Sequence, residues 1–201
     1  MVQINRMRKV AFISSFPPHK CGIDTFASDL IHYTYPASEK VIKPVVVAVQ
    51  SGSSRLRWDS VEYVIRKNYK SDYMEAADFI NSGGIESVSL QHEFGLFGGQ
   101  AGSYIVLMLR RLNVPVISTL HNVLKKPIRG HFRTLVDICD CSKTVIVMSR
   151  QDIDTLRDLY GIPSRKIRLI SDGVENVHFE GTEQYKYKSY LSWYDFWSDR
   201  A

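Results

Sequence analysis

Two stretches decide the fold: Val88-Ser89-Leu90-Gln91-His92-Glu93-Phe94-Gly95-Leu96-Phe97-Gly98-Gly99 and Val116-Ile117-Ser118-Thr119-Leu120-His121-Asn122. In each, a short apolar run, Val88–Leu90 or Val116–Leu120, has a histidine placed just beyond it. As strands of one parallel sheet, the two runs bring His92 and His121 out at the same carboxyl edge. Open α/β sheets bind their ligands in the crevice outside that edge. Two histidines, one followed by Glu93 and a glycine-rich loop, therefore point to a polar site.

Working outward, strand and helix patterns alternate along the whole chain. Lys9–Ser15 is an apolar run, and Pro17-Pro18 after it cannot continue a ladder. Ile23, Phe26, Ala27, Leu30 and Ile31 then recur at helical spacing. Val45–Val49 is a β-branched strand broken by Ser51-Gly52-Ser53-Ser54, and Val61–Ile65 is another. Tyr73, Ala76, Ala77 and Ile80 mark a helix closed by Gly83-Gly84. Ala101, Tyr104, Ile105, Met108, Leu109 and Leu112 predict a helix after the Ser87–Gln91 strand. Phe132, Leu135, Val136 and Cys139 predict one after Val116–Leu120. Thr144–Met148 is a strand, and Ser149-Arg150-Gln151-Asp152 resembles a capping box. The helix it opens runs to Tyr160 and stops at Gly161-Ile162-Pro163. Lys166–Ile170 is a last strand before the turn Ser171-Asp172-Gly173. The expectation is an α/β, Rossmann-like, doubly wound and mainly parallel sheet of about seven strands with helices on both faces.

Composition narrows the class. The 201 residues suffice for a full core, and 44% hydrophobic with 23% charged residues suits a soluble globular chain. The apolar runs are too short to cross a bilayer, and the basic start leads into a strand pattern, not a signal h-region. A cytoplasmic protein is expected. Cys21, Cys139 and Cys141 make an odd count without zinc spacing, so neither a disulfide framework nor a metal site is expected. The net charge of +5 suits phosphates, nucleic acid or a membrane face. Basic residues are scattered without the stripe that nucleic acid needs, so no nucleic-acid partner is expected, while peripheral membrane contact remains compatible with the charge.

The first turn places Gly22 at the start of a helix, where unpaired N–H groups and the dipole suit a phosphate. A glycine there serves a tight turn equally well. No G-x-G-x-x-G, Walker loop or G-x-S-x-G elbow occurs, which speaks against a dinucleotide dehydrogenase, a P-loop enzyme or a serine hydrolase. His92, Glu93 and His121 suit recognition of a hydroxylated ligand better than a metal. Gly98-Gly99 places a further helix start beside them.

Together, Val10-Ala11-Phe12-Ile13-Ser14-Ser15-Phe16-Pro17-Pro18-His19-Lys20-Cys21-Gly22-Ile23-Asp24, the Gln91–Gly99 loop, Ser118-Thr119-Leu120-His121-Asn122 and Val147-Met148-Ser149 resemble the amino-terminal domain of glycosyltransferase family 4. Lys166–Val174 resembles the family's closing strand and turn. The resemblance runs in order from about Val10 to Val174. It implies a GT-B enzyme that moves a sugar from a nucleotide-sugar donor to a hydroxyl acceptor, retains anomeric configuration and needs no catalytic metal or other cofactor. By the same resemblance, Gly22 adjoins the donor diphosphate, His121 faces the reacting sugar, and His92 and Glu93, with Gly98 and Gly99, line the acceptor side.

The resemblance also has departures. Ser171-Asp172 stands where the family has His or Asn before Gly-Val. The expected organisation is a Rossmann-like domain over 1–180 and an aromatic tail over 181–201, with the family's carboxy-terminal donor domain absent. That domain carries the Arg/Lys pair facing the diphosphate, so the chain alone is expected to be inactive, either a truncated product or a half completed by another chain. Tyr185, Tyr187, Tyr190, Leu191, Trp193, Tyr194, Phe196 and Trp197 give the tail the character of a helix seeking a surface, its own sheet domain ahead of a partner. Self-association through it, a partner-docking protein, and a non-catalytic sugar or nucleotide binding module are the alternatives.

Overall fold

The computed structural model describes residues 8–16, 22–37, 42–52 and 61–171. The Pro17–Cys21 turn, the Asp172-Gly173 turn and the aromatic tail of the sequence reading lie outside them.

The strands are β1 (Arg8–Ser14), β2 (Ile42–Gln50), β3 (Val61–Arg66), β4 (Ser87–His92), β5 (Val116–Leu120), β6 (Thr144–Val147) and β7 (Ile167–Leu169). The helices are α1 (Gly22–Ala37), α2 (Lys70–Ser82), α3 (Tyr104–Leu109), α4 (Arg129–Cys141) and α5 (Arg150–Asp158). All seven strands pair in parallel in the order β3-β2-β1-β4-β5-β6-β7. The chain builds outward one way from β1 and the other way from β4, so the topological switch point lies between these two strands. The sheet is parallel throughout, not merely in the main, and helices flank both faces.

One core joins Val88, Leu90, Val116 and Leu120 to Tyr73, Ile80, Ile105, Met108, Leu135, Ile138 and Leu156, from α2 to α5. The other joins Val10, Phe12, Val46, Ala48, Ile117 and Ile146 to Phe26, Ala27 and Leu30 of α1. Strand β4 is buried at every position. Val88 and Leu90 enter the first core, and the alternating Ser87, Ser89 and Gln91 fall on the α1 side, a polar row inside the sheet.

Local chemistry sets the helix ends. Ser149 Oγ accepts from Asp152 N and donates to its carboxylate, so the predicted capping box opens α5. At the other end Gly161 adopts φ of 71°, and Ile162 N donates to Leu156 O. The predicted 101–112 helix is curtailed: Ala101 and Gly102 have φ of 53° and 76°, which leaves a short 3₁₀ turn and only Tyr104–Leu109 as α-helix.

The glycine loop after β4 is clamped from beneath. Tyr73 Oη donates to Lys67 O at 2.8 Å and accepts from Gly98 N at 2.9 Å. Its burial pushes the phenol up to about 12, so it stays a neutral two-way bridge. Lys67 Nζ donates to Gly95 O. A β-carbon at Gly98 would collide with the Lys67 carbonyl, and one at Gly99 with the Tyr104 ring. Gly98→Ala is therefore expected to destabilise the chain by about 3 kcal/mol, since the blocking atom is backbone. Urea unfolding is expected to show a lower midpoint at unchanged slope, and an unshifted midpoint would contradict the clamp.

Candidate functional site

Three consecutive sheet neighbours end at one place. Strand β1 runs out through Ser15 and Phe16, β4 ends on His92, and His121 follows β5. Ser15 Oγ donates to Asp24 Oδ1, tying the first turn of α1 to the end of β1. Phe26 meets the His121 ring edge-on, with centroids 4.9 Å apart and planes at 83°. The amino end of α1 thus overlies the carboxyl ends of β1, β4 and β5 at the switch point. Gly22, four residues before Phe26, lies about 6 Å further out along the axis, just over one helical turn.

Gly22 is exposed, has no left-handed φ, and a β-carbon there would meet nothing within 4 Å among the described residues. Neither backbone strain nor packing within the described fold calls for glycine at this position.

His121 is held by the neighbouring strand through backbone and side chain alike. Its N–H donates to His92 O at 3.0 Å, and its Nε2 lies 2.9 Å from Gln91 Oε1. Gln91 Nε2 in turn donates to Ser89 Oγ at 3.2 Å. The His121 ring is half-buried, and burial lowers its pKa to about 4, so it is neutral at physiological pH.

The two histidines share an edge but not a face. Leu120, not His121, stands opposite His92 in the register, and a one-residue offset reverses the side-chain direction. His92 is completely buried, edge-on to Phe94 at 5.1 Å and stacked on Phe97 at 6.0 Å. Neither of its ring nitrogens has a hydrogen-bond partner. It underlies the glycine loop and presents no surface to a ligand in this conformation. Glu93 is half-buried at the start of the loop, where its carbonyl accepts from Leu96 N. Gly98 is buried beneath Tyr104 and Gly99 is exposed, and contacts within the fold account for both; α3 is too short to serve as an anion-binding helix start. Cys139 is buried, and burial pushes its thiol up to about 12; Cys141, half-buried, is pushed up likewise. Among the described residues no three His, Cys, Asp or Glu side chains converge on a point, and no described helix is long and apolar enough to cross a membrane.

Sequence reasoning passed over Gln91 as a site residue. Its signal was a polar position in a strand that must be central, where both faces are expected to be apolar.

Comparison with known proteins matches the model of Glycosyltransferase Family 4 to residues 44–176, from within β2 to beyond β7. The chain belongs to glycosyltransferase family 4. A sucrose-phosphate synthase structure from Thermosynechococcus elongatus superposes with a TM-score of 0.55 at 11% identity, over 96% of this chain and 98% of that one. A glycosyltransferase from Rickettsia africae gives 0.52 at 17% identity, over 84% of this chain and 44% of that one. At these identities the two structures speak for the fold, a Rossmann-like GT-B amino-terminal domain. A search of curated proteins found no match. As a member of this family, the chain is expected to engage sugar and acceptor substrates in general.

Burial of His92 has a measurable consequence. Desolvation, with a smaller contribution from His121, lowers its pKa from 6.5 to about 3. The unfolded chain takes up this proton near the ordinary value while the native state does not, so stability falls as pH drops below about 6.5 toward 3. At pH 5 the loss from His92 alone comes to about 2 kcal/mol relative to pH 7. Urea unfolding at pH 7 and pH 5 is expected to differ by at least this amount, and His92→Leu to remove most of the His92 share. An equal pH dependence in the variant would show that His92 titrates normally.

Proposed function

We propose that the carboxyl edge at the switch point is the acceptor-side wall of a sugar-transfer cleft. The reaction moves a sugar from a nucleotide-sugar donor to a hydroxylated acceptor with retention of anomeric configuration. His121 faces the reacting sugar, Glu93 and the loop behind it line the acceptor, and Gly22 adjoins the donor diphosphate. His92 acts from beneath, shaping the loop that carries Glu93.

The observation that carries this reading is the contact of Phe26 with His121. It brings a helix amino end with an exposed glycine, suited to phosphate, beside a neutral, anchored imidazole suited to hydroxyls. The Glu93 carboxylate has no partner among the described residues, which leaves its oxygens for hydroxyl donors.

Charge limits what this wall does unaided. Asp24 already occupies the first turn of α1, where it draws on the same dipole that a diphosphate would use. A nucleoside diphosphate leaving group gathers negative charge during transfer and needs cations placed against it. In this family a donor-side domain brings them, whether on the same polypeptide or on another. Residues 1–201 assayed alone are expected to transfer sugar at little above background.

Calorimetry with a panel of nucleoside-diphosphate sugars and simple glycosides tests the reading. Binding heat is expected for the wild-type chain and its loss in His121→Ala; heat that persists in the variant would place the ligand elsewhere. Gly22→Ala separates a phosphate role from a turn role. The folded state is expected to hold or gain up to about 1 kcal/mol, because alanine suits a helix better. Affinity for a nucleoside diphosphate is expected to fall about ten-fold. Unchanged affinity would remove Gly22 from the site.

A further inference from the structure

Gln91 has an unusual position for an amide. It lies on a central strand, is 1% exposed, and stands in register with Thr119 of β5 on one side, next to the paired Ile13 and Leu90 on the other. Its Nε2 is committed to Ser89 Oγ and its Oε1 to the His121 ring. A carbonyl oxygen only accepts, so the ring nitrogen it meets must carry the hydrogen. The Thr119 hydroxyl, its register partner, has no hydrogen bond among the described residues, nor has Ser14 Oγ, next after Ile13 on β1; a reversed amide would find a donor in Ser89 Oγ and would select the other tautomer.

We propose that Gln91 is a positioning residue that holds His121 as its Nε2–H tautomer, leaving Nδ1 as a hydrogen-bond acceptor for a hydroxyl of the bound sugar. The tautomer follows from the amide standing with its oxygen toward the ring; the identity of the ligand group rests on the transferase reading above. The ring has one hydrogen bond among the described residues, the one at Nε2, and Phe26 fixes its plane. With Nε2 spoken for, the imidazole recognises a hydroxyl as a donor and does not itself donate to it. A sugar in which fluorine replaces that hydroxyl would lose the contact, because fluorine has no hydrogen to give.

The test needs no sugar and no turnover, so its failure is separable from failure of the transferase reading. Long-range 1H–15N spectra of the histidine-labelled 201-residue chain at neutral pH read the tautomer directly, with His121 assigned through His121→Ala. A single Nε2–H form is expected for wild type. Gln91→Leu, which keeps bulk but has no acceptor, is expected to show both tautomers. Gln91→Glu keeps an acceptor at the same place and is expected to retain Nε2–H while raising the His121 titration midpoint by about one pH unit or more. An Nδ1–H form in the wild-type chain would overturn the proposal, and so would an unchanged tautomer in Gln91→Leu. Should Gln91→Leu fail to fold, the wild-type spectrum and the Gln91→Glu titration still decide it.

Discussion

The structure depends on β4, a strand that carries polar side chains with no solvent on either face. It pairs in parallel with β1 through Ser87–Leu90 and with β5 through Val88–His92. Its side chains are harder to accommodate. Central strands of parallel sheets normally carry apolar residues on both faces, because helices cover both. Here one face is Val88, Leu90 and His92 and the other Ser87, Ser89 and Gln91, all buried. A buried amide or hydroxyl without a partner costs about 1–3 kcal/mol, a cost that Ser87 Oγ and the His92 ring bear and that Ser89 and Gln91 escape. Ser89, Gln91 and His121 form one chain of hydrogen bonds, and that chain ends at the cleft.

The same logic explains the two histidines. Both are deprived of water and both are therefore neutral at physiological pH. The difference lies in what replaces the water. His121 has Gln91 and the edge of Phe26, and keeps part of its ring open. His92 has two phenylalanine rings and no hydrogen bond, an arrangement that costs stability and is held in place by the clamped loop above it. Tyr73, bridging Lys67 and Gly98, fixes that loop and so keeps His92 sealed.

Much of this was legible in the sequence. Seven short β-branched runs between helical stripes specify the sheet, and Ser149-Arg150-Gln151-Asp152 with Gly161 specify both ends of α5, because these signals are local. The loop was less legible. The requirement for glycine at Gly98 comes from a carbonyl at Lys67, on a different strand connection, and no local pattern encodes it. The 101–112 stripe overstated α3, since apolar spacing says nothing of the positive φ at Ala101 and Gly102 that interrupts the helix. The pairing of His92 with His121 in one polar site was a matter of register. Residue spacing places both at one edge, and only the match of His92 with Leu120 shows that they face opposite ways.

On the proposed transferase reading, that division of faces has a chemical use. A sugar-transfer site must present hydrogen-bonding groups to hydroxyls without offering a free proton or a mobile charge near a reactive anomeric centre. A neutral imidazole with one nitrogen occupied by an amide meets this condition, because its remaining nitrogen acts in only one sense. The preorganisation is cheap here. Gln91 and His121 are carried on adjacent strands whose spacing of about 4.8 Å is set by the ladder itself. The His121 N–H bond to His92 O extends that ladder by one residue beyond β5. The backbone therefore positions the ring, the amide orients it, and α1 closes over it with Phe26. On the proposed transferase reading, the loop and the helix amino end add shape and a favourable dipole, and the selectivity for a hydroxyl donor resides in the two strands.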